Sequence, residues 1–389
     1  MSPQPSTSTT TKSSRKTGSD KKTLKPAQRA KTKVSWLHWQ WQLISLVALV
    51  AGLLVYYYQS SAESTQPQPY ASTQFQSPEE RDASIFTVQD LRGKGKGMIA
   101  IRDIKQGELI IRERPLFVVP PQISVSPTTL IAQNLQRLSP AGYESFFNLS
   151  YVHLPENVDP DVDINEVALA IFQTNAVSAG NDVGIFPRMA RLNHGCSSAF
   201  NSVYMWREKE GVLAVHALKD IKKGEELLTT YTNMKRPRNQ RRQYLQQQYG
   251  FYCTCSVCSL PDAESNASDH RLSSMSDLYT KFSSWNSRSI DGLEAIDVVQ
   301  AIWDLGNQEG YWSERGQLAA DAAFVAAAHE DAVATKEWSR LAAEWFGIEL
   351  GSDSEQVMQM KGFVAQPMGH PAWGTRQVAE VGGPKRLFQ

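Results

Sequence analysis

Between Phe86 and Tyr231 apolar and polar residues alternate in short runs, and after Cys258 the chain changes to helical spacing. The stretch MIAIRDIKQGELIIRERPLFVVP, residues 98–120, keeps a period of two on either side of Lys105-Gln106-Gly107 and predicts a β-hairpin. GVLAVHALKDIKKGEELLTTY, from Gly211 to Tyr231, predicts more short strands, broken at Lys223-Gly224. Residues 128–176 are more helical, with a short helix expected over Asp163 to Val177. Beyond residue 262, Ala-rich amphipathic stretches such as Asp321 to Leu350 predict an α-helical domain. Its pattern is faintly that of paired antiparallel helices, without a clean period of about 34 residues.

The chain ahead of Phe86 obeys other rules. Residues 1–35 carry nine Lys or Arg against Asp20 alone, and predict a disordered basic tail. Residues 36–58, WLHWQWQLISLVALVAGLLVYYY, contain no Asp, Glu, Lys or Arg. As a helix they would extend about 34 Å, enough for a hydrocarbon core of about 30 Å. Trp36, Trp39 and Trp41 at one end and Tyr56, Tyr57 and Tyr58 at the other match interfacial aromatic belts. A single-pass membrane helix is therefore expected, on an endomembrane or the nuclear envelope. Its orientation stays open, because the basic tail argues for a lumenal placement of the chain after residue 58 and the cysteine chemistry for a cytosolic one. Residues 59–84, rich in Ser, Gln, Pro and Thr, read as a linker.

Composition narrows the class. With 389 residues, 41% of them apolar and 21% charged, two or three folded units are expected, and collagenous or wholly disordered chains are excluded. Forty basic residues balance 40 acidic ones, which excludes a strongly basic nucleic-acid binder, and no clear nucleic-acid motif is present. The balance hides segregation, since residues 262–389 hold 19 acidic and 10 basic side chains. Lys235, Arg236, Arg238, Arg241 and Arg242 form a basic cluster, which reads either as a solvated helix face or as a docking site for an acidic partner.

Of the four cysteines, Cys253, Cys255 and Cys258 lie within six residues, and Cys196 stands well upstream. C-x-C-x-x-C places three thiolates within reach of one ion, and bridging Cys253 to Cys255 would strain a disulfide. Tetrahedral zinc requires a fourth ligand, either Cys196 or a histidine such as His194.

Cys196 closes the run Arg191-Leu-Asn193-His194-Gly-Cys196, and that run has company. Gly93-Lys94-Gly95-Lys96-Gly97 precedes it, as does Gln173-Thr174-Asn175. Gly224-Glu225-Glu226-Leu227 with Tyr231 comes after it, and then Tyr249, Phe251 and the three-cysteine loop. In this order the motifs resemble those of SET-domain protein-lysine methyltransferases, close to the SET and MYND-domain proteins and to fungal SET proteins lacking the MYND finger. The resemblance covers residues 86–260. It implies an α+β fold: a β-rich SET domain of short strands with a pseudo-knotted core over 85–232, a post-SET zinc region over 233–261, and the α-helical domain over 262–389.

The resemblance also implies a methyl transfer from S-adenosylmethionine to a lysine of a protein substrate, histone or non-histone, with zinc as the second cofactor. Lys94 and Lys96 would flank the cofactor's carboxylate, and Gly95 and Gly97 would let the backbone approach it. Asn175, Asn193 and His194 would bond its amino-acid and adenine portions, and Phe251 would stack on the adenine. Tyr231 would act at the transfer step and contact the cofactor, with Tyr249 as a further catalytic channel wall. Cys196, Cys253, Cys255 and Cys258 would hold the metal. The chain departs from the family's pattern after Cys196, with Gly195 for Ser, no Pro, and Asn201 two positions late. The competing readings are an inactive SET-derived interaction scaffold and a zinc-stabilised peptide binder.

Overall fold

The computed structural model describes residues 84–384. The basic tail, the apolar segment 36–58 and the linker up to residue 83 lie outside them. The membrane placement expected from 36–58 is corrected: among the described residues, no helix is long and apolar enough to cross a membrane.

Ten strands and nine α-helices succeed one another among the described residues. The first four strands are β1 (Phe86–Leu91), β2 (Gly95–Ala100), β3 (Leu109–Glu113) and β4 (Val118–Val119). Three helices come next, α1 (Pro127–Leu135), α2 (Pro140–Phe147) and α3 (Ile164–Asn175). Then come β5 (Val177–Ala179), β6 (Asp182–Gly184), β7 (Asn193–His194), β8 (Ser202–Arg207), β9 (Val212–Ala217) and β10 (Glu226–Thr229). The helices α4 (Arg238–Tyr249), α5 (Asp262–Ser283), α6 (Gly292–Glu309), α7 (Arg315–Ala328), α8 (Ala332–Leu350) and α9 (Glu355–Ala365) complete the order.

The strands form three small sheets, ordered β1-β2-β10-β7, β3-β9-β8 and β4-β6-β5. Strands arise on both sides of Lys105-Gln106-Gly107, yet they make no hairpin. β2 pairs with β1 and β10, whereas β3 pairs with β9, and Ile104 bridges Ile221 between the two sheets. Alternation marks which residues extend, and burial selects their partners. Ile110 and Ile111 are both fully buried next to a register shift in the β3–β9 ladder, so both faces of this stretch are covered.

The centre of the fold is β10, held by the segment 193–201. Asn193 and His194 pair with Leu228 and Thr229 in parallel. Gly195 N–H donates to Thr229 O at 2.8 Å, and Asn201 N–H donates to Leu228 O at 3.0 Å. The Asn201 side chain adds two bonds, accepting from Leu228 N–H and donating to Glu226 O, each at 2.9 Å. Asn201 is therefore a pin for β10 despite its late position. Gly195 is required by the same close packing, since a Cβ there would stand 2.8 Å from Phe200 N.

α1, α2 and α3 cover their own small core, built on Ile131, Phe146, Ile171 and Ile185. Pro127 and Pro140 open α1 and α2, each behind a serine whose hydroxyl accepts a first-turn N–H. In the C-terminal half, successive helices from α5 to α9 pack on one another. The small side chains of α7 allow close approach: Ala319, Ala322, Ala323, Ala326 and Ala327 are all fully buried, and Gly316 leaves room for Phe346.

Candidate active site and thiol centre

A cavity of about 390 Å³ opens where the β1–β2 turn, β7, β8, the end of α3 and the end of α4 meet. Each wall has a local cause. The β1–β2 turn places Gly93 and Gly95 at φ 74° and 68°, which glycine adopts without strain, and sets Lys94 and Lys96 on the rim. The end of α3 supplies Thr174 and Asn175, and β7 supplies Asn193. Gly250, at φ 69°, stops α4, so Tyr249 and Phe251 on either side of it both reach the cavity.

One end is cationic. Lys96 Nζ donates to Asn148 Oδ1 at 2.7 Å, and Arg191 Nη2 donates to Asn148 O at 3.0 Å. Desolvation pushes the Arg191 guanidinium below its usual range. Lys94 instead pairs with Glu226 at 2.5 Å, and the other Glu226 oxygen accepts from Asn193 Nδ2 at 2.9 Å. Asn175 Nδ2 is engaged by Ser150 O and Ile171 O, each at 2.7 Å.

The other end is phenolic. Tyr204, Tyr231 and Tyr249 all line the cavity, and the rings of Tyr231 and Tyr249 stand 4.9 Å apart. Burial pushes the Tyr231 phenol well above its ordinary range, and Tyr204 and Tyr249 shift in the same direction for the same first cause. Tyr231 donates its hydroxyl hydrogen to Leu192 O at 2.6 Å. It is therefore a neutral phenol whose oxygen keeps its lone pairs as acceptors.

Three residues expected against the cofactor are not among the residues that line this cavity. The His194 ring is not a cavity wall. Its Nδ1 accepts from Tyr231 N–H at 3.1 Å, and burial pushes its pKa down to about 4. The neutral ring therefore carries its hydrogen on Nε2, which donates to Cys196 Sγ at 3.2 Å. Gly95 and Gly97 are also absent from the walls. A Cβ on Gly97 would stand 2.5 Å from Leu91 Cδ1 and 2.6 Å from Asn193 Nδ2, so this glycine makes room for a neighbouring side chain. Gly97→Ala should displace Asn193 and cost about 1–3 kcal/mol, read as a lower unfolding temperature.

Cys196, Cys253, Cys255 and Cys258 converge behind this site, with their sulfurs within 4.8 Å of one another and all four thiols free of disulfides. Four ligands about 2.3 Å from zinc lie about 3.8 Å apart on a tetrahedron, so the set fits that ion. Cys196 occupies the fourth corner, and His194 stands behind it as a hydrogen-bond partner of the sulfur.

Sequence motifs did not point to Glu226 as the bridge between Lys94 and Asn193, to Asn148 as the holder of Lys96 and Arg191, or to Tyr204. The only signal for Tyr204 is its place on a strand next to the Asn-His-x-Cys run.

Residues 95–232 match the SET domain family. Histone-lysine N-methyltransferase set5 of Schizosaccharomyces pombe is 26% identical over 297 residues, which span 74% of this chain and 86% of that protein. Histone-lysine N-methyltransferase SMYD3 of Homo sapiens is 33% identical over 84 residues, 22% of this chain and 19% of that protein. The solved structure of Rubisco LSMT bound to AdoMet matches at 13% identity and a TM-score of 0.28, over 73% of this chain and 88% of that one. Residues 95–232 therefore carry a SET domain, and the chain is similar to SET-domain protein-lysine methyltransferases. S-adenosylmethionine is the cofactor of that class.

Proposed function

We propose that the cavity brings S-adenosylmethionine and a neutral substrate lysine together, and that the chain methylates lysine on a protein, with a histone as one candidate. The observation that carries this reading is the polarity of the cavity: a half-buried guanidinium beside a lysine at one end and three neutral phenols at the other. Arg191 and Lys96 suit the cofactor's carboxylate, held in place by Asn148. Asn175 and Asn193 would bond its polar groups and Phe251 its adenine. The cofactor, when bound, supplies an electrophilic methyl on a sulfonium.

The chain's own part is orientation and electrostatics. Tyr231 holds its hydrogen on Leu192 O, which leaves the phenolic oxygen to accept weak C–H···O contacts from a polarised methyl. Tyr204 and Tyr249 close the space around the incoming amine and limit how many methyls fit. Low polarity around them favours the uncharged amine, which alone is nucleophilic. The cysteine set would hold zinc as a structural ion, tying the segment of Asn193 to the loop after Phe251.

Titration calorimetry with S-adenosylmethionine tests the assignment of the cationic end. Wild type should bind one equivalent. Arg191→Met should weaken binding about 10- to 100-fold, the loss expected for one charged hydrogen bond. Equal affinity in both proteins would remove Arg191 from the site.

A further inference from the structure

Most of the basic cluster 235–242 finds partners within the chain, while Arg236 stays exposed. Lys235 pairs with Glu314 at 2.5 Å and Arg238 with Asp262 at 2.6 Å, and Arg236 lies over the Tyr244 ring at 5.9 Å. Three arginines of α4, at positions 238, 241 and 242, share one helical face through i, i+3 and i, i+4 spacing. That face meets the thiol loop. Arg242 donates from Nε to Cys253 O at 3.0 Å and from Nη2 to Cys258 O at 2.8 Å. Arg238 Nη1 donates to Leu260 O at 2.9 Å and reaches Cys258 O at 3.4 Å.

Arg241 goes deeper. On the same face as Arg238 and Arg242 it is fully buried, pairs with Asp269 at 3.1 Å and donates to Arg236 O, and against the burial that disfavours its charge the nearby Cys196 and Cys258 thiols hold its guanidinium above its usual range. Its Nε has no hydrogen-bond partner among the described residues. A buried guanidinium demands more than one partly exposed carboxylate. Four thiolates around a dication carry a net charge of −2, also buried, and demand a cation. Each requirement answers the other.

We infer that Arg241 is the built-in counter-cation of the thiolate centre, and that Arg238 and Arg242 clamp the backbone carbonyls of its ligand loop. This rests on the zinc reading of the four cysteines. These arginines are positioning residues: they act through Cys196, Cys253 and Cys258 on the loop that carries Phe251. The segment that reads as an offer to an acidic partner is the outer shell of the metal site. A cation against Cys196 lowers the energy of the sulfur lone pairs and so strengthens metal retention at neutral pH.

The test uses the full-length protein loaded with cobalt(II), whose thiolate-to-metal charge-transfer bands report the sulfur's electron density. Arg241→Met should move those bands to longer wavelength and speed metal loss to a chelator by about 10- to 100-fold. Arg241→Lys, which keeps the charge, should stay near wild type in both. Unchanged bands and unchanged metal loss in a folded Arg241→Met protein overturn the inference. If Arg241→Met does not fold, Arg242→Gln carries the test of the clamp: faster metal loss with unshifted bands supports it, and unchanged metal loss overturns it. A wild-type protein that takes up no metal overturns the zinc reading itself, which separates the two failures.

Discussion

Tyr231→Phe should lower methyl transfer at least about 100-fold while S-adenosylmethionine affinity stays within about twofold, a split matching the loss of one preorganised polar group at a reacting centre. The hydroxyl has two roles. Its hydrogen satisfies Leu192 O at 2.6 Å, and its oxygen remains free to accept. Phenylalanine keeps the tilted ring contact with Tyr249 at 4.9 Å but removes both roles. Losing the bond to Leu192 O also leaves a backbone acceptor unpaired, which costs about 1–3 kcal/mol if the carbonyl stays buried. A melting experiment beside the kinetics separates the two effects. Equal losses in affinity and turnover would mean that Tyr231 shapes the cofactor end and has no special part in transfer.

Metal removal is the second large effect. A strong chelator, or Cys196→Ser, should abolish cofactor binding and lower the unfolding temperature, because Cys196 is the single cysteine tie between the Asn193 segment and the loop carrying Phe251. Structural zinc contributes on the order of 10 kcal/mol to small domains that fold around it. Here the strands keep a core of their own, and the core of the helical half, although it takes in Cys196, Cys253 and Cys258, is built mostly from helix residues, so partial unfolding is expected. Far-UV circular dichroism should retain most of its helical signal while calorimetric binding of S-adenosylmethionine disappears. Retention of full cofactor affinity in the metal-free protein would detach the thiol centre from the site.

Motifs that depend on side-chain type were legible, and arrangements that depend on partners were not. Asn175, Asn193, Tyr231, Tyr249 and Phe251 stand out in the sequence by type and order, and they line one cavity. The cysteine spacing marks a metal loop because so few structures tolerate three adjacent free thiols. Strand pairing was hidden, since Lys105-Gln106-Gly107 has a hairpin's composition while β2 and β3 belong to different sheets. Glu226, Asn148 and Arg241 were illegible as well, because each acquires its meaning from residues far away in sequence. The motif glycines were legible as glycines, but Gly97 is demanded by Leu91 and Asn193. The apolar segment 36–58, from which hydropathy suggested a membrane placement, lies outside the described residues, and none of the helices within them is long and apolar enough to cross a membrane.

The central claim is that this cavity moves a methyl group from S-adenosylmethionine to lysine. The most direct measurement incubates the purified full-length protein with isotopically labelled S-adenosylmethionine and an array of lysine-containing peptides, histone sequences included, and reads the products by mass spectrometry. The account predicts label on lysine side chains in the wild type and none with Tyr231→Phe. Label-free lysines throughout the array, from a protein that also fails to bind S-adenosylmethionine, would contradict it.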